Sequence, residues 1–90
     1  MERARIIASG KVQGVGFRNF IYINAFELNL KGYTTNLKNG DVETIVEGEK
    51  NNIEALIKTI REGNILSKVA DVRVEWNSPT GEFHDFKVKR

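Results

Sequence analysis

Polar and apolar residues change period several times along the chain, and each change marks an element. From Arg3 to Ser9, the run around Ile6, Ile7 and Ala8 predicts a first strand, central in a sheet and covered on at least one face. From Arg18 to about Leu30, the residues Phe17, Ile21, Ala25 and Leu28 recur at helical spacing, with Phe20 and Ile23 widening the stripe. This is the pattern of an amphipathic helix lying on a sheet. Gly32 to Leu37 predicts a second strand, with Tyr33 and Thr35 on one face and Thr34 and Asn36 on the other. Lys38-Asn39-Gly40-Asp41 predicts a tight hairpin built on a type I′ turn, and Asp41 to Glu49 the returning third strand. Asn51-Asn52-Ile53-Glu54 has the form of a capping box with Asn51 as N-cap, and Ile53, Leu56, Ile57 and Ile60 continue a second amphipathic helix to Gly63. After a loop from Asn64 to Lys68, Val72, Val74 and Trp76 alternate with Asp71, Arg73 and Glu75 in a fourth strand, Val69 to Asn77. Ser78-Pro79-Thr80-Gly81 then turns the chain, and Phe83 to Lys89 predicts a short last strand.

The resulting order is β-α-β-β-α-β plus a short terminal strand. That is an α+β fold of the ferredoxin-like, split βαβ kind, with two helices packed on one face of an antiparallel sheet and residues 1–90 forming a single domain. In this topology the third strand runs back between the first and the second. The C-terminal ends of the first two strands therefore lie on the same edge of the sheet, two strand spacings or about 10 Å apart. The loop after the first strand and Asn36 near the end of the second come to one place.

That loop is Ser9-Gly10-Lys11-Val12-Gln13-Gly14-Val15-Gly16-Phe17-Arg18. A strand, a glycine-rich bend and a helix start form an anion site, because turned backbone N–H groups and the helix N-terminus converge on one spot. Arg18 stands where the helix begins. A cation is disfavoured there by the helix dipole unless an anion binds between them. The loop is not a P-loop, since no Gly-Lys-Ser/Thr follows, and Gly14-x-Gly16 lacks the third glycine of a dinucleotide fingerprint. Asn36 taken alone reads more readily as a turn residue that ends a strand than as a catalytic one.

Composition removes other chemistries. The chain of 90 residues contains no cysteine, which excludes a disulfide framework, a thiolate zinc site and a cysteine nucleophile. His84 is the only histidine and reads as a surface imidazole, without a second member for a triad or metal site. The acidic residues are scattered without metal-ligand spacing. Ser9, Ser67 and Ser78 have no neighbouring base, and Trp76 and Phe86 read as residues that fill the core or cover the sheet. A net charge of +2 with mixed signs gives no basic stripe for nucleic acid. No apolar run approaches the roughly 18 residues of a membrane span, and the N-terminus has no signal-peptide form. The expectation is a soluble cytoplasmic protein.

Two segments together resemble the acylphosphatase family. Gly10-Lys11-Val12-Gln13-Gly14-Val15-Gly16-Phe17-Arg18 is similar to its first signature. Gly32-Tyr33-Thr34-Thr35-Asn36, with Gly40-Asp41-Val42 and the later Glu47-Gly48, is similar to its second. The element order agrees along nearly the whole chain. Three departures stand out. Thr34-Thr35 replaces a small apolar residue and a basic one, Asn29 replaces a glycine at the end of the first helix, and the loop after Gly63 lacks prolines.

The resemblance implies hydrolysis of the carboxyl–phosphate bond of acyl phosphates, yielding carboxylate and inorganic phosphate, with no metal and no cofactor. It implies that Arg18 and the backbone N–H groups of Gln13, Gly14, Val15, Gly16 and Phe17 hold the phosphate, and that Asn36 orients the attacking water. The implied partners are a small-molecule acyl phosphate and inorganic phosphate, with no nucleic acid, no membrane and a monomeric chain. The chemistry is consistent with this, because a carboxylate leaving group needs little acid catalysis and phosphoryl transfer depends on positioning and charge stabilisation. Two other classes are weighed. An RNA-binding module of similar topology needs a basic, aromatic-rich third strand, whereas Asp41-Val42-Glu43-Thr44-Ile45-Val46-Glu47 is acidic and has no aromatics. A non-catalytic anion- or ligand-binding module of ferredoxin-like fold is the alternative that the residues leave open.

Overall fold

The structure, a computed structural model, describes Met1–Arg90. The chain runs β1 (Glu2–Lys11), α1 (Phe17–Glu27), β2 (Lys31–Asn36), β3 (Val42–Gly48), α2 (Lys50–Glu62), β4 (Lys68–Asn77) and β5 (Phe86–Val88). The strands form one sheet in the order β4-β1-β3-β2-β5. β3 pairs antiparallel with both β1 and β2, and β4 antiparallel with β1, while β5 lies parallel to β2 and makes the sheet mixed.

Period-two alternation decides which side of β1 faces the helices. Ala4, Ile6 and Ala8 join Phe17, Ile21, Ala25, Ile53, Leu56 and Ile60 in one core cluster. Burying the Ile, Leu and Phe side chains of this cluster stabilises the fold by about 1.5–3 kcal/mol each, and the alanine methyls contribute less. On β2 the same alternation puts Thr34 fully inside this core, where its hydroxyl meets that of Thr44 at 3.0 Å. Asn36, two residues on, therefore emerges on the same face, just past the core. No helix is long and apolar enough to cross a membrane.

Several local expectations change. α1 ends in a Schellman motif, with Asn29 N–H donating to Phe26 O and Leu30 N–H to Ala25 O. Asn29 takes the left-handed conformation there, φ 56°. The hairpin is not type I′, which needs positive φ at both central residues. Asn39 has none. Gly40 alone does, φ 98°, and its N–H donates to Leu37 O, the pattern of a three-residue loop whose last residue is left-handed. The capping box does not form. α2 starts at Lys50 and its N-cap is Glu49, which has no side-chain cap, because a single residue connects β3 to the helix and the chain must turn at once. The last strand is confined to Phe86–Val88. The preceding segment is drawn over the open face instead, by Thr80 and Gly81 donating to Glu47 and by Phe83 set edge-on to Tyr33. Ile23 does not widen the buried stripe of α1 and is 48% exposed. Phe86 is buried, whereas Trp76 covers the rim of the sheet beneath the Lys50 ammonium.

Candidate active site

A cleft of about 390 Å³ opens at the edge where β1 and β2 end, lined by Val12, Gly14, Gly16, Phe17, Arg18, Asn19, Asn36, Val88 and Arg90. The glycine loop forms one wall. β1 leaves the sheet at Lys11, and Val12 and Val15 drop their side chains into the core, pinning the loop at two points. Gly16 is the N-cap of α1 in a left-handed conformation, φ 72°, that lets the chain enter the helix at once. Gly14 is also left-handed, φ 75°, and a Cβ there would meet nothing within 4 Å.

The consequence lies in the backbone. The N–H groups of Gln13, Gly14, Val15, Gly16 and Phe17 donate to no other atom of the protein. The first bond of α1 is made only by Phe20 N–H to Gly16 O, 3.0 Å. These five successive donors, some open to solvent and the last belonging to a helix N-terminus that has no intrahelical acceptor, are of the kind an anion can accept from.

Two side chains set the seat relative to the sheet. Gln13 Nε2 donates to Leu37 O at 2.8 Å and to Asp41 O at 2.9 Å. The loop is thereby tied to the hairpin that follows Asn36. Arg18 projects from the first turn of α1, and its Nη1 donates to Lys89 O at 2.7 Å just beyond β5. No carboxylate pairs with it, and the cleft contains no acidic lining residue. Its positive charge is therefore uncompensated within the protein. Asn36 closes the opposite wall, exposed and with its side-chain amide free of internal hydrogen bonds. Nowhere do three His, Cys, Asp or Glu side chains come together in a way that could hold a metal ion.

The structure thus brings Arg18, Asn36, Gly14, Gly16 and Phe17 to one cleft. Gln13 and Val15 belong to the loop but turn their side chains elsewhere. Asn19, Val88 and Arg90 line the cleft without having stood out in the sequence. Asn19 carried a local signal, one position past Arg18. Val88 and Arg90 carried none, because only the parallel pairing of β5 with β2 brings them there.

The cavity bounded by Arg5, Ile7, Leu37, Asn39, Asp41, Arg73, Val74 and Glu75 lies instead on the open face of the sheet. There Arg5 pairs with Glu43 at 2.7 Å, so its charge is already matched. The glycine-loop cleft is the one with unmatched donors.

Known proteins resemble this chain in sequence and in fold. The chain matches the Acylphosphatase family model over residues 4–88. It is 41% identical over 90 residues to an acylphosphatase of Dehalococcoides mccartyi, covering 99% of both chains, and 42% identical to one of Geotalea uraniireducens, covering 96% of this chain and 94% of the relative. Its structure superposes on the crystal structure of acylphosphatase from Bacillus subtilis with a TM-score of 0.96, at 34% identity and over the full length of both chains. The matched residues include both walls of the cleft, and the chain belongs to the acylphosphatase family.

Proposed function

We propose that the chain is a metal-independent acylphosphatase, hydrolysing the carboxyl–phosphate bond of small acyl phosphates to carboxylate and inorganic phosphate. The observation that carries this reading is the run of five unpaired amides beside an uncompensated Arg18, facing Asn36. The amides of Gln13 to Phe17 and the Arg18 guanidinium hold the phosphoryl oxygens and stabilise the charge that spreads over them in the transition state. Asn36 uses its amide oxygen to hold a water in line with the acyl oxygen. The water oxygen bonds to phosphorus as the bond from phosphorus to the acyl oxygen breaks, and the electron pair leaves with the carboxylate. An amide is not a base at neutral pH, so the water's proton passes to a phosphate oxygen. Residues 1–90 act as one monomeric, cytoplasmic domain on a small-molecule substrate, without nucleic acid or membrane.

The test offers purified protein benzoyl phosphate and p-nitrophenyl phosphate with a chelator present. Rapid turnover of the first, little of the second and no effect of the chelator are expected. Phosphate binding without turnover would leave only an anion-binding module. Arg18→Ala should lose phosphate binding and activity together. Asn36→Ala should keep phosphate affinity and lose about 10²–10³ in kcat, the scale of one positioned transition-state group. Equal loss of phosphate affinity in both variants would contradict the roles.

A further inference from the structure

Outside both signature segments, one side chain reaches the phosphate loop from behind. Asn64, in the connection between α2 and β4, donates from Nδ2 to Val15 O at 2.9 Å. No other donor in the protein reaches that carbonyl. In a planar trans peptide the C=O and the following N–H point in opposite directions. Holding the Val15 carbonyl toward Asn64 therefore turns the Gly16 N–H away from it. Gly16 lines the cleft and Asn64 does not, so the N–H that is turned away is turned to the cleft side.

The contact matters because little else holds the Val15–Gly16 peptide. Gly16 has no Cβ to restrict it, its left-handed φ is one of several open to glycine, and its N–H has no partner within the protein. Asn64 is itself fixed. Its N–H donates to Ser67 Oγ at 2.9 Å, and the Ser67 hydroxyl returns a bond to Asn64 O at 3.0 Å. The Asn64 amide oxygen is buried without a partner, an unfavourable burial that the bond to Val15 offsets.

We infer that Asn64 is a positioning residue, which holds the Val15–Gly16 peptide with its N–H presented to the substrate phosphate. Gln13 fastens the loop to the hairpin on one side, and Asn64 fastens it to the α2–β4 connection on the other. The inference rests on the proposed function for the identity of the anion, but the peptide's orientation is testable without any ligand.

Asn64→Ala is compared with wild type by ¹⁵N relaxation at the Gly16 amide, then by calorimetric titration with inorganic phosphate. The expected result is a lower order parameter at Gly16 and a phosphate Kd raised about three- to tenfold, the scale of one lost hydrogen bond. In turnover of benzoyl phosphate, KM should rise by more than kcat falls. A Gly16 amide as ordered as in wild type, with unchanged Kd, would overturn the inference. If Asn64→Ala does not fold, Ser67→Ala loosens the same connection while keeping the Asn64 amide, and should move both readouts in the same direction by less. Wild-type behaviour in a folded Ser67→Ala would then overturn the inference. A wild type inert toward benzoyl phosphate refutes the proposed activity and leaves the Gly16 readout intact, so the two failures are distinguishable.

Discussion

Glu47→Gln should lower stability by about 3 kcal/mol at neutral pH and by almost nothing near pH 2. Glu47 is 3% exposed on β3. Its Oε2 accepts from Arg3 Nη1 and Thr80 N–H, each at 2.7 Å, and from Thr80 Oγ1 at 3.0 Å, while Oε1 accepts from Gly81 N–H at 3.0 Å. Burial alone would raise the carboxyl's pKa. The Thr80 amide, the Arg3 guanidinium, the Gly81 amide and the Thr80 hydroxyl outweigh it and bring the pKa down from 4.5 to about 2. Between those values the unfolded chain binds more protons than the folded one, so stability rises with pH across that window. The carboxylate's contribution is complete above the unfolded pKa of 4.5 and is lost as pH falls through the folded pKa of about 2. At about 1.4 kcal/mol per pKa unit the full contribution is about 3 kcal/mol, of which about 1.4 kcal/mol remains at pH 3. Glutamine keeps the shape but turns an N–H₂ toward donors, so it cannot replace the second oxygen. Urea unfolding followed by far-UV circular dichroism, at pH 7, 5, 3 and 2, measures the difference between variant and wild type. Carboxylates shared by the two chains cancel in that difference. A gap that stays constant from pH 7 to pH 3, or is absent at pH 7, would refute the reasoning.

Three further outcomes are expected. Asn29→Gly should stabilise the fold by about 0.5–1 kcal/mol in chemical denaturation, and Asn29→Ala should destabilise it by about 1 kcal/mol, because the position is left-handed at the end of α1. Gln13→Ala removes both bonds to the hairpin, and should cost about 1–2 kcal/mol of stability while weakening competitive inhibition by inorganic phosphate. Gly16→Ala should fold with a loss of about 1 kcal/mol from its φ of 72° and should raise KM for benzoyl phosphate, read by unfolding and steady-state kinetics together.

Much of this molecule is legible in the linear chain, for a physical reason. Strand and helix periods are local, so the apolar spacing of Ile53, Leu56, Ile57 and Ile60 specifies which face of α2 is buried before any partner is known. The element order then places β3 between β1 and β2, and with it the glycine loop and Asn36 at one edge. The left-handed glycines at the helix entrance follow from the same local geometry.

Tertiary structure alone decided the rest. Contacts between residues distant in sequence leave no periodic trace. Nothing near Glu47 announces that Thr80 and Gly81 will close on it, or that this closure shortens the last strand to Phe86–Val88. The one-residue connection before α2 overrides the capping-box pattern at Asn51. Lys89 reaches Arg18, and Asn64 reaches Val15, across separations in sequence of 71 and 49 residues. The chain by itself determined that a glycine-rich seat of backbone amides would form beside Arg18 and Asn36. The fold decided how that seat is braced, because bracing depends on which distant backbone carbonyls and side chains the packed core brings within a hydrogen bond's length.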